Sequence, residues 1–475
     1  MSRHQLPALG VLLNEPPLSR WGTWLQRNPH RQPEACLELA RRYSIEQGFQ
    51  FQEGRSGRII MSGHQPGFIH PGVWVKMFVL EAAAEALDAT CIHLQVDSDL
   101  PSVLAPPLPP DHHPVTWFTP PGGHPFEVLE APNRQAWERF LAQVGPYPGL
   151  RAAGEATWAN VGPQPTLGRF LDVLRRTYEA PRRYLELPIS ALCTTAGFIG
   201  FVADVLKRLE DFHAAYNGEL AAYRTRHRVR SPANPIPDLR HRPDAVESPF
   251  WVVDAQGFRR GLWVQPDGTL LAREVPVGRF DGTPASLSGL RLRPRALTLT
   301  LYCRRYLCDL FIHGVGGARY DAITDGIFRR FWGLEAPPFA CISLSLSPLD
   351  PPRPEDPRVP RLALRELQHN PQRVAPEDSL APEKLDLIAR MAATPSRQQG
   401  PLAARIRQVN ETMASRLSDV RETLAARQVE DEEEATRFAA ATARDYPYFC
   451  FQPETLTALV RPLFDQSLKG ARAAP

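Results

Sequence analysis

A chain of 475 residues with 43% hydrophobic content is long enough for two or three domains and can bury a large core, which excludes an intrinsically disordered chain. Its 55 Lys plus Arg nearly cancel its 52 Asp plus Glu, leaving a formal charge of +3, so the net balance demands no polyanionic partner and nucleic acid becomes a secondary hypothesis. Seven cysteines without a close CxxC pair read as free thiols, not as a disulfide or zinc framework. No run reaches about 18 consecutive apolar residues. The expectation is a cytoplasmic protein with no membrane partner.

The 49 prolines, about twice the usual frequency, cluster and so punctuate the chain. Residues 1–57 are expected as a helical lead-in, with Leu37, Ala40 and Tyr43 on one face of a helix over 34–47. Residues 58–165 begin the core: a strand over 58–62, a glycine-rich turn, a helix over 73–87 and a strand over 91–96. This is the strand-turn-helix-strand unit of a parallel, doubly wound sheet. The Pro- and Gly-rich stretch 101–165 predicts long connections around one helix near 133–144.

Helical periodicity over 167–179 and 196–223 assigns 166–245 to a helical insertion. Within 246–347, short apolar runs at 250–253, 262–264 and 269–272, joined by Gly257 and Pro266-Asp267-Gly268, predict a small antiparallel meander. A helix over 296–307, a strand over 309–313, the turn at Gly314 to Gly317, a helix over 318–332 and a strand over 341–346 complete the core. The last region, 348–475, starts with a proline-rich linker. It then places Leu402, Ile406, Val409, Met413, Leu417, Val420 and Leu424 at spacings of mostly three and four. That seam resembles a short coiled coil and predicts packing on a partner helix, with a homodimer as the expected assembly.

Two motifs carry the chemistry. In the first, Gly63, Gly67 and Gly72 permit tight turns between strand and helix, and the amides of the helix that follows form an anion site. His64 and His70 can add hydrogen bonds to a phosphate, Gln65 stands beside them, and Lys76 adds a point charge. Two histidines with no third ligand at a recognisable spacing give no metal site. Asp97 and Asp99, after the next strand, fall at the same sheet edge and can hold a ribose hydroxyl, a substrate ammonium or Mg2+. The second motif is Gly316-Gly317, again strand to helix, flanked by His313, Arg319 and Asp321. The Asp111-His112-His113 triplet reads as a solvated loop. The arginine-rich stretch from Arg224 to Arg242 is the one candidate for RNA contact.

In this order, the first turn with Asp97, the strand near 250, the Gly316-Gly317 turn and the C-terminal seam resemble the bacillithiol-biosynthesis cysteine-adding enzymes. The resemblance implies a Rossmann-type core related to class I aminoacyl-tRNA synthetases. It also implies a helical insertion, a dimerising C-terminal coiled coil and addition of cysteine to a sugar-linked amine. The run Pro66 to Gly72 is similar to the synthetase signature, with Val73 in place of its second histidine. This chain also has His64-Gln65 for a Gln-Gln pair, Asp97-Ser98-Asp99 for an acidic-His-acidic run, and Gly316-Gly317-Ala318 for Gly-Gly-Pro.

The expected fold is therefore α/β: a Rossmann-like parallel sheet with a helical insertion, a small antiparallel β element and a C-terminal coiled-coil-like helix. The expected function is a ligase that activates a carboxylate and passes it to an amine of a small metabolite. Its catalytic residues would be His64, His70 and Asp97, and its ligand ATP or ADP. The alternative is a non-catalytic nucleotide- or metabolite-binding module.

Overall fold

The computed structural model describes residues 6–179, 181–231 and 233–471. It divides into two compact units: the main unit runs to residue 108, over 113–348 and from 444 onward, and the second comprises 109–112 and 349–443.

The main unit is built on a six-stranded sheet in the order Leu12–Glu15, Phe339–Leu344, Leu310–His313, Ile59–His64, Thr90–Gln95, Leu185–Pro188. All neighbours pair in parallel except Leu12–Glu15, which runs antiparallel along the edge. Numbered by sequence, the five parallel strands stand in the order 3-2-1-4-5 seen from the Leu185–Pro188 edge, the arrangement of a doubly wound sheet. Their residues are almost wholly buried, as expected of strands covered on both faces.

The helix Pro71–Leu87 follows the first parallel strand and is apolar nearly all round; Trp74, Met77, Phe78 and Leu80 are all buried. Such a helix needs cover on more than one side. The sheet supplies one side and the C-terminal helix Pro453–Ala471 another. The carboxylate of Asp309, fully buried, accepts the backbone N–H groups of Ile59 and Asn28 at 2.7 Å each, tying the start of the first strand to the fourth.

A six-stranded antiparallel sheet forms the β element, with Ala245–Val253, Arg259–Val264, Thr269–Ala272, Val275–Arg279, Leu292–Pro294 and the short strand His241–Arg242 paired to Ala245–Val253. It shares one large hydrophobic cluster with the helices Ala196–Lys207 and Leu209–His227. These two helices replace the single one expected over 196–223, breaking at Arg208. A further helix, Pro148–Val161, lies in the stretch read as connections. The strand Leu185–Pro188 sits between segments whose periodicity is purely helical; four buried residues are too few to announce a strand.

In the second unit the seam is not one continuous helix. It divides at Leu417 into Gly400–Arg416 and Ser418–Ala441. Val409 and Met413 bury against Ala381 and Leu387 of the helix Ala381–Ala392, with Leu402 and Ile406 alongside. The apolar stripe thus finds its partner within the chain. Val420 stays exposed.

All seven cysteines are free, six of them buried. No helix among the described residues is long and apolar enough to cross a membrane.

Candidate functional site

The parallel strand order reverses between Ile59–His64 and Leu310–His313, and the loops leaving their carboxyl ends diverge there. A doubly wound sheet opens its ligand crevice at this switch point. A cleft of about 710 Å3 lies there, lined from both glycine-rich junctions. Of the residues singled out from sequence, Gly63, His64, Gln65, His70, Gly72, Lys76, Asp99, His313, Gly316, Gly317, Arg319 and Asp321 line it. Gly67 lines a smaller neighbouring cavity, and Asp97 lines neither.

The two helix N-termini at the cleft differ. At Pro71–Leu87 the amides are already used: His70 Nδ1 accepts the Gly72 N–H at 3.0 Å, and the His70 carbonyl accepts those of Val73 and Trp74 at 2.9 Å. Pro71 has no N–H. This end is therefore capped, and His70 keeps one ring N–H for a ligand. The helix Val315–Ile327 starts three residues earlier than its periodicity suggests, so Gly316 and Gly317 belong to its first turn. Its N-cap, Gly314, offers no side chain, and the first bond back to it comes from Ala318. The amides of Val315, Gly316 and Gly317 remain for an anion. Glycine is needed at 317, where a Cβ would stand 2.5 Å from His313 Nδ1, whereas at 316 a Cβ would meet nothing.

Lys76 is the buried cation of the site, 2% exposed, with Nζ donating to the Gly63 carbonyl at 2.8 Å. Burial lowers its pKa to about 7. Burial, then the nearby Lys76 charge, lowers His64 to about 3, and burial with Arg444 lowers His70 to about 4. Both imidazoles are therefore neutral near pH 7 and not cations. His64 Nδ1 lies 2.9 Å from the Gln65 carbonyl, which fixes the ring proton on that nitrogen.

The acidic residues are less available than their positions suggest. Asp99 pairs with Arg259 at 2.7 Å and accepts from Gln65 at 3.1 Å. Asp321 takes Arg304 at 2.7 Å and His313 at 3.1 Å. Burial would push the Asp321 carboxyl up, but Arg304 and His313 outweigh it and hold it below the usual carboxylate range. Asp97 accepts from the Ser190 hydroxyl and, at 2.9 Å, from its backbone N–H. Burial, followed by the charge of Glu127, raises the Asp97 pKa from 3.8 to about 6. The sign follows: the folded protein holds this proton up to about pH 6, the unfolded chain releases it near 3.8, and stability is lost between the two values. The Asp97→Asn variant is expected to escape that loss, worth at most about 3 kcal/mol, which urea unfolding on either side of the window measures. Equal slopes with pH in wild type and variant would refute it.

Chain order gave no signal for several lining residues. Arg444 and Asp445 join the cleft from the far end of the chain, as do Thr300 and Ser343 from other elements. Arg444 lies 3.2 Å from Ser343 Oγ, and its guanidinium is one reason position 72 must be glycine. Within the arginine-rich stretch, Arg224 pairs with Asp238, Arg240 with Glu247 and Arg242 with Glu274.

No protein-family profile and no curated protein matches the chain. Among solved structures, a putative arginyl-tRNA synthetase from Campylobacter jejuni aligns over 90% of this chain and 97% of that one, at 9% identity and a TM-score of 0.23. Similarity at that score carries no argument about fold or activity.

Proposed function

We propose that the cleft binds a nucleotide-type phosphate ligand, ATP or ADP, and that the protein is a carbon–nitrogen ligase. It activates a carboxylate, that of cysteine or another amino acid, and passes the acyl group to an amine of a small metabolite. One observation supports this most. The uncommitted amides of Val315, Gly316 and Gly317 open at the switch point of the sheet into the cleft that also holds the amine of Lys76. Preorganised amides and a buried cation suit the charge of a phosphoryl group in transfer.

In the reaction, a carboxylate oxygen attacks phosphorus and expels ADP or pyrophosphate. The substrate amine then attacks the acyl carbon, loses a proton and releases phosphate or nucleoside monophosphate. His70, neutral and with one ring N–H left, would orient the phosphate. Asp97, outside the cleft, is not given a catalytic role.

Hydroxylamine can replace the unknown amine. ATP or ADP is expected to raise the melting temperature, and ATP with one amino acid from a mixture is expected to yield a hydroxamate. A melting shift without hydroxamate favours the binding module over the ligase. No shift with any nucleotide sinks the reading altogether.

A further inference from the structure

Arg444 lines the cleft on a stretch that is fastened from behind. Just after it, Tyr446 and Tyr448 are fully buried, and the Tyr448 backbone N–H donates to the Ile69 carbonyl at 2.7 Å. The Tyr448 ring lies 5.7 Å from that of Trp74, which ties the stretch to the first turns of the helix Pro71–Leu87. A Cβ at position 72 would collide with Arg444 Nη2, with His70 Cε1 and with the Leu344 carbonyl, so all three surround one glycine.

The guanidinium is hardly spent on the fold. Its one hydrogen bond among the described residues runs from Nη2 to Ser343 Oγ at 3.2 Å, Nε is buried with no partner, and no described carboxylate forms an ion pair with it. Other arginines near the cleft differ: Arg259 holds Asp99 and Arg304 holds Asp321. Asp445, next in the chain and exposed, favours the Arg444 charge. An arginine stays charged inside a protein, and a half-buried one without a counter-ion is costly to the fold. A ligand anion would remove that cost.

Topology separates this cation from the free amides. From the switch point the chain crosses from Ile59–His64 toward Thr90–Gln95 on one side and from Leu310–His313 toward Phe339–Leu344 on the other. Right-handed crossovers therefore send the two helices to opposite faces of the sheet. Arg444 and His70 stand at the start of one helix, and the amides of Val315, Gly316 and Gly317 at the start of the other. Two anion-holding elements thus face one crevice from different sides. Activation of a carboxylate needs two anionic groups side by side, phosphate and carboxylate, held in contact.

A phosphate on the amides leaves the guanidinium for the carboxylate, whose two oxygens match its planar fork. His70 stands beside it, with Nδ1 occupied by the Gly72 N–H and the ring proton therefore on Nε2, and that N–H is placed between the two groups. We propose that Arg444 binds the carboxylate of the amino-acid substrate, with the Ser343 hydroxyl orienting the guanidinium. The assignment rests on the ligase reading of the cleft. It makes Arg444 a specificity residue: the amide of the same amino acid, which has no negative charge, is not held.

The test uses the full chain and phenylglyoxal, which modifies accessible guanidinium groups, with the extent at Arg444 read by peptide mass spectrometry. A mixture of the common amino acids, with ADP present, is expected to slow that modification, whereas ADP alone and ADP with the amino-acid amides leave it unchanged. Arg444→Gln is expected to keep the ADP-dependent rise in melting temperature and to raise the amino-acid KM for hydroxamate formation about 10–100-fold, with kcat changed far less. Protection by ADP alone would put Arg444 on the phosphate and overturn the proposal. So would a wild type that nucleotide stabilises but whose Arg444 no amino acid protects, an outcome that leaves the nucleotide site standing. If no nucleotide shifts the melting temperature, the ligase reading fails; amino acids that still protect Arg444 then keep the carboxylate site without it, and no protection removes both. If Arg444→Gln does not fold, the labelling of wild type decides alone.

Discussion

The Arg175→Ala variant is expected to lose at least about 3–5 kcal/mol of unfolding free energy, the cost of leaving buried charges without their partner. Arg175 is 4% exposed, and its two terminal nitrogens serve four groups: Asp172 at 2.7 Å, Glu186 at 2.5 Å, Glu179 at 2.7 Å and the Tyr184 hydroxyl at 2.9 Å. The cluster also holds Trp74, whose indole N–H donates to Glu179 at 2.7 Å, so the damage would spread into the helix Pro71–Leu87 that forms one wall of the cleft. Such a loss would consume much of the roughly 5–15 kcal/mol that separates folded from unfolded states. Lysine is not expected to rescue it, because an ammonium lacks the planar fork that reaches carboxylates on both sides. Urea unfolding followed by circular dichroism measures the effect, and a loss below about 1 kcal/mol would show that the cluster relaxes or admits water.

The Lys76→Met variant should separate stability from ligand binding in opposite directions. The native ammonium is buried on a single carbonyl, with burial lowering its pKa from 10.5 to about 7. A folded-state pKa below the unfolded one means that stability falls as pH drops from about 10.5 toward 7, because the unfolded chain takes up the proton more readily. Methionine is of similar length and cannot charge. It is expected to be neutral or stabilising by about 1–4 kcal/mol at pH 7, as replacements of buried ions by apolar side chains often are, with the gain shrinking in alkali. The same change removes the cation from the anion-binding cleft and should weaken nucleotide binding by about 1.5–3 kcal/mol, the range for a hydrogen bond to a charged group. In wild type, binding should weaken as pH rises through about 7, where Lys76 gives up its proton; the variant should lack that step. Calorimetric titration across pH and thermal melts decide it. A variant that is less stable and binds normally would assign Lys76 to the fold alone.

Asp97 shows how position in the chain can mislead about a site. An acidic residue after a parallel strand belongs at the ligand edge of the sheet, and Asp99 does line the cleft. Two residues earlier, Asp97 turns instead to Ser190, which follows a strand absent from the periodicity. His70 makes a related point. Its placement before the helix was evident, but its role as cap for Gly72 depends on the ring's orientation, which no spacing encodes.

Periodicity over successive residues determined most of the helices, the parallel strands at 59–64, 90–95, 310–313 and 339–344 to within a few residues, and the two glycine-rich junctions. Local sequence can do this because side-chain period and backbone hydrogen bonding act over three or four residues. Only the tertiary structure brought those junctions, some 250 residues apart, to one switch point, added Arg444 and Asp445 to the same cleft, and found an intrachain partner for Val409 and Met413. It also decided which polar atoms were left over: three amides at Val315 to Gly317, Nε2 of His93 and Oδ2 of Asp172. Whether a polar atom is spent or available depends on burial and on partners distant in sequence, and neither can be read from its neighbours along the chain.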